Sequence, residues 1–157
     1  MMMKRVLLLA TVVLTIAGCS LEVPAPNGGN IEPSDPTTET FAPGLNINIA
    51  RMTKTAAGTF YRDTIVGTGA TLTNSEAVMI WSYLGVLKNG QVFATATNET
   101  TTLAAQVGGL RDAMRGMKVG GERLIVIPSA LGFGSAQVGL VPPNATLVYD
   151  VILIQLP

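Results

Sequence analysis

A chain of 157 residues is long enough for one domain and a tail, and its composition removes several chemistries at once. It has no histidine and one cysteine, so a Ser-His-Asp nucleophile, a His/Cys zinc site and an intramolecular disulfide are all excluded. Ten basic and ten acidic residues balance without any basic block, so nucleic acid is not an expected partner, and the scattered Asp and Glu form no glycosidase-like pair.

In chain order, Lys4 and Arg5 precede an apolar run over residues 6–16. A helix needs about 20 residues to span a bilayer, so this run is too short, but it suits a secretory signal. It ends in Ile16-Ala17-Gly18-Cys19, which resembles the lipobox of bacterial lipoproteins. That resemblance implies a signal peptide over residues 1–18, lipid on Cys19 and anchoring to a membrane. Each buried CH2 of the acyl chains would contribute about 0.8 kcal/mol. Ser20 rather than Asp follows the cysteine, a pattern that resembles outer-membrane sorting in a Gram-negative cell. The expected location is the cell envelope, on its extracytoplasmic side, facing the periplasm if such a cell is the source.

Residues 19–43 carry the lipidated cysteine and then Pro24, Pro26, Pro33, Pro36 and Pro43 among polar residues. Few of them could enter a core, so a disordered tether is expected, with the folded domain over residues 44–157. Fully extended, the tether would reach on the order of 80 Å.

Leu45, Ile47 and Ile49 alternate with Asn46, Asn48 and Ala50, the period of a half-buried strand. A second strand is expected over residues 58–66. Gly67-Thr68-Gly69 after it reads as a turn, because no Gly-Lys-Ser/Thr follows to make a phosphate loop. Over residues 77–87 a strand places Met79, Trp81 and Tyr83 on one face. Lys88-Asn89-Gly90 then suggests a type I′ hairpin turn, with the return strand beginning at residues 91–93. One amphipathic helix follows. Val107, Leu110, Met114 and Met117 share a face, Arg111, Asp112 and Arg115 take the other, and Gly116 marks its end. A tight connection through Gly120 and Gly121 leads to a buried strand over residues 124–127, stopped by Pro128. A loop with Gly132, Gly134 and Gly139 ends on Pro142-Pro143, before a last strand over residues 146–156. The sum is an α+β fold, a twisted antiparallel sheet wrapped over one amphipathic helix. A loop held between two strands in this way commonly overhangs a binding cleft.

Three stretches carry a more specific likeness: G-M-K-V-G-G-E-R at 116–123, I-P-S-A-L-G-F-G at 127–134, and V-P-P-N-A-T-L-V-Y-D-V at 141–151. With the order of elements they resemble the FKBP-type peptidyl-prolyl isomerases, over residues 58–156. The resemblance implies an FKBP-like sheet and helix around an apolar pocket, with Tyr83, Phe93, Val141 and Tyr149 as its walls. It also implies that the N–H of Val107 binds a substrate carbonyl. Three positions depart from the family pattern. Ala94 stands where an Asp is usual, Leu110 where a tryptophan floors the pocket, and Phe133 where a tyrosine hydroxyl holds the substrate. The segment 94–105 is shorter than usual and offers no counterpart to its wall aromatics. Trp81 either refills the floor in part or belongs to the core.

Prolyl isomerisation fits what composition leaves available. Rotation about an X-Pro amide meets a barrier of about 20 kcal/mol and takes tens of seconds unaided. A dry, apolar cleft favours the twisted amide over the planar one, and neither acid, base nor cofactor is needed. Expected partners are proline-containing unfolded or loop segments of envelope proteins, with the membrane as a second partner through the lipid. The alternative is a catalytically weak FKBP-like module that binds peptides as a chaperone or assembly factor.

Overall fold

The computed structural model describes residues 32–157; the expected signal peptide, Cys19 and tether residues 20–31 lie outside them. Six strands form one antiparallel sheet: β1 (Thr53–Lys54), β2 (Phe60–Ile65), β3 (Val78–Leu87), β4 (Val92–Thr102), β5 (Glu122–Ile127) and β6 (Leu147–Gln155), in the order β1-β2-β5-β6-β3-β4. One helix, α1 (Gly108–Met114), packs on its inner face. Period-two alternation along β3 and β6 turns Met79, Trp81, Val151 and Leu153 inward to meet Leu110, Ala113 and Met114 of α1. Burying a side chain of this size contributes about 2 kcal/mol. Strand β5 is buried on both faces, with Ile125 and Ile127 on the helix side and Val126 on the other.

The helix is shorter than the periodicity of residues 107–117 suggests. Val107 is its N-cap, in extended geometry, and Met117 lies beyond its end. Backbone pairing with a passing segment draws the chain out of the helix: Gly116 N–H donates to Leu72 O (2.9 Å) and Leu72 N–H donates to Met117 O (2.8 Å). Gly116, at φ 80°, makes that turn possible. So short a helix depends on tertiary packing. It sits so close to β5 that a Cβ on Gly109 would collide with Ile127. Arg123 fastens its far end, reaching the Ala113 carbonyl while forking onto Asp63 (2.6 and 3.0 Å) and lying over the Tyr61 ring (4.2 Å).

Three expectations are corrected. Residues 45–49 form no strand; 3-10 turns at Pro43–Leu45 and Ile49–Arg51 flank Asn46, which is left-handed at φ 49°. The alternation arises because Leu45, Ile47 and Ile49, with Phe41 and Met52, cover a second cluster of Phe60, Val86, Val126 and Val148 on the outer sheet face. The tether expected to run to Pro43 is packed over its last part. Pro36 is buried, Ser34 is hydrogen-bonded to Ser129, and Ala42 N–H donates to Lys88 O (2.8 Å). Pro36 and Pro43 stiffen a segment that has fixed partners. The turn at Lys88-Asn89-Gly90 is a three-residue loop, not type I′. Asn89 keeps a negative φ and accepts from Gln91 N–H (3.0 Å), and only Gly90, at φ 88°, is left-handed.

Candidate functional site

Between α1, the inner face of β3, β4 and β6, and the loop after β5 lies an open cavity of about 370 Å³. The seven residues singled out from sequence all line it: Tyr83 on β3, Phe93 on β4, Val107 and Leu110 at α1, Phe133 and Val141 on the loop, and Tyr149 on β6. Ala94 is part of the same wall.

Tyr149 organises the aromatic side. Phe93 meets its ring edge-on (5.5 Å, 88°) and Tyr83 tilts against it (5.8 Å, 56°). Gly85 pairs with Tyr149 on one side and Ala94 on the other. A Cβ there would stand 2.9 Å from Phe93 Cζ and 3.1 Å from Tyr149 Cε1, so the two rings converge over the space that glycine leaves. Trp81 lies outside the cavity: it is 1% exposed, stacks behind Tyr83 (4.5 Å, 38°) and donates from Nε1 to Glu99 (3.2 Å). It is therefore core, and Leu110, 2% exposed, lies beneath the aromatic wall without a tryptophan's help.

The opposite wall is a loop tied by its own backbone. Ser129 O accepts from Gly132 N–H (3.0 Å) and Gly134 N–H (2.9 Å), the residues on either side of Phe133, and Asn144 N–H donates to Gly134 O (2.8 Å). Val138 and Val141 exchange both backbone hydrogen bonds (3.0 and 2.9 Å) around Gly139, which is left-handed at φ 55°. This small hairpin holds Val141 at the cavity and leaves Val138 and Leu140 exposed at its rim.

The lining carries no Asp, Glu, Lys or Arg. Burial pushes the Tyr149 hydroxyl far above the ordinary tyrosine range, with Tyr83 adding to the effect. Burial also raises Tyr83, helped by the charge of Glu99. Gln106 is engaged elsewhere, its Nε2 donating to Thr101 Oγ1 (3.2 Å). At Val107 the carbonyl accepts from Arg111 N–H (3.1 Å), while its own N–H finds no acceptor among the described residues. The cavity can thus enclose an apolar group among uncharged aromatic walls and offer a backbone donor at its edge. It has no group able to carry out acid, base or nucleophilic chemistry near neutral pH. Among the described residues no three His, Cys, Asp or Glu side chains gather as a metal site, and no helix is long and apolar enough to cross a membrane.

Sequence reading missed Gly85, Ala105, Gln106 and the rim residues Val138 and Leu140. The signal for Gly85 was present, since a glycine inside a strongly apolar strand marks close approach of something else.

An antiparallel sheet over one short helix, with an aromatic cavity under the β5–β6 loop, defines a class of known proteins. Residues 69–154 match the FKBP-type peptidyl-prolyl cis-trans isomerase family, and the chain belongs to it. It is 36% identical over 106 residues to FK506-binding protein 4 of Dictyostelium discoideum, covering 62% of this chain and 28% of that one. With FK506-binding protein 4 of Neurospora crassa it shares 35% identity over 109 residues, 66% and 23% of the two chains. This chain thus spans about a quarter of the length of these relatives. Among solved structures it resembles FkpA from Escherichia coli (TM-score 0.63, 28% identity, 66% of this chain and 50% of that one). It also resembles a peptidyl-prolyl cis-trans isomerase from Pseudomonas syringae (TM-score 0.64, 25% identity, 72% and 85%).

Proposed function

We propose that the chain is a peptidyl-prolyl cis-trans isomerase that takes X-Pro segments of unfolded or loop-containing envelope proteins into this cavity. The observation that carries the reading is the uncharged aromatic wall, Tyr149 gripped by Phe93 and Tyr83, facing a backbone-tied loop. A proline ring seated there leaves water, and its amide loses the solvation that favours the planar, more polar ground state. Val107 N–H holds the substrate carbonyl while the bond turns. No proton is transferred and no covalent bond is made or broken, in keeping with a lining that lacks ionised groups. A protease-coupled assay on a proline tetrapeptide tests this directly, using the full chain.

A second reading, peptide binding without efficient turnover, is favoured by Ala94 and Phe133, which bring no polar group to the wall, and by the apolar rim at Val138 and Leu140. Binding of unfolded polypeptide with no detectable isomerisation would select it.

In either case the domain is proposed to act at the envelope, held by lipid on Cys19. Cys19→Ala should release the protein from membranes without detergent; a mutant that stays bound through a carbonate wash as the wild type does would rule out the anchor.

A further inference from the structure

The chemistry above makes no use of residues 34–43, yet this strap is fastened to both sides of the cavity's frame. At one end Ser34 and Ser129 exchange two hydrogen bonds: Ser34 N–H donates to Ser129 Oγ (2.8 Å), and Ser129 N–H donates to Ser34 Oγ (2.7 Å). Ser129 is 1% exposed, so its N–H has no water to replace that hydroxyl. The carbonyl of the same Ser129 holds Gly132 and Gly134, and Phe133 sits between them at the cavity. At the other end Ala42 N–H donates to Lys88 O (2.8 Å), and Lys88 Nζ pairs with Glu39 (3.0 Å). Lys88 belongs to the turn joining β3 and β4, the strands of Tyr83 and Phe93.

We propose that the strap is a positioning element of the site, with Ser34 as a positioning residue. Through Ser129 it sets where Phe133 stands, and so how tightly an X-Pro segment is held. This rests on the peptide-binding reading given above. The route is short and continuous: the Ser34 hydroxyl, the Ser129 peptide, then the two glycine N–H groups that flank Phe133. Losing the hydroxyl at position 34 strips the buried Ser129 N–H of its acceptor and frees the start of the loop, while Leu110, Tyr83 and Tyr149 stay in place. An effect confined to one wall of the cavity changes binding more than the rotation step.

The test compares full-length wild type with Ser34→Ala and Ser34→Thr, the latter keeping a hydroxyl. Thr64→Ala, an exposed variant outside the strap and the cavity whose hydroxyl donates to Glu122, serves as control. In the tetrapeptide assay Ser34→Ala should raise KM roughly fivefold with kcat within about twofold, and Ser34→Thr should restore it. Amide exchange at Gly132 and Gly134 should quicken in Ser34→Ala alone, a measurement that needs no turnover. A wild-type KM in Ser34→Ala overturns the proposal, as does a KM change that threonine does not rescue. Should the wild type itself neither turn over nor bind peptide, the isomerase reading fails, and unchanged exchange at both glycines would then overturn the positioning role of Ser34 on its own.

Discussion

Gly85 and Tyr149 face each other across the β3–β6 ladder, and the side chain that Gly85 lacks is the space in which the Tyr149 and Phe93 rings meet. The aromatic wall is therefore made by an absence on one strand as much as by the rings on two others.

Gly85→Ala tests this relationship. The new Cβ would press on Phe93 Cζ and Tyr149 Cε1, and the rings must tilt away from each other. Overpacking of this kind costs about 1–3 kcal/mol of stability. Peptide affinity should fall with it, read by the thermal midpoint and by KM together.

Tyr149 gives a pH prediction. Its folded pKa is raised by burial, so the folded protein retains this proton where the unfolded chain, with an ordinary tyrosine near 10, has lost it. The stability this confers is complete below about pH 10 and declines as pH rises above it, because there the native state binds more protons than the unfolded one. Activity should be flat from about pH 6 to 9 for the same reason. Tyr149→Phe should blunt the alkaline loss of stability, measured by denaturant midpoints across that range.

Ala94 and Phe133 leave the cavity without the polar groups that the family pattern places there. Ala94→Asp with Phe133→Tyr should raise kcat/KM on the order of tenfold, about 1.4 kcal/mol of barrier, when the two groups are introduced together. A double variant no faster than wild type would show that the apolar walls alone set the rate.

Much of this is legible in the sequence, for identifiable physical reasons. Strong alternation at Met79, Trp81 and Tyr83 announced β3, the glycine and proline punctuation of residues 116–143 announced the loop, and the seven lining residues followed from motif likeness rather than from periodicity. What misled was local pattern with a non-local cause. Leu45, Ile47 and Ile49 alternate because they cover Val86 and Val148, partners far along the chain that no short window shows. Pro36 and Pro43 looked like marks of a tether, yet the partners of that strap, Ser129 and Lys88, lie on other elements. The ambiguity at Trp81 turned on its Glu99 partner across the β3–β4 ladder, which only the register reveals.

Whether the uncharged aromatic cavity turns X-Pro bonds, as proposed, is decided by comparing Tyr149→Leu with wild type. Isomerisation of a proline tetrapeptide by the full chain should be measurable in wild type and lost by at least about tenfold in Tyr149→Leu, with circular dichroism showing both proteins folded. Equal activity in the two folded proteins, or none in wild type, would contradict it.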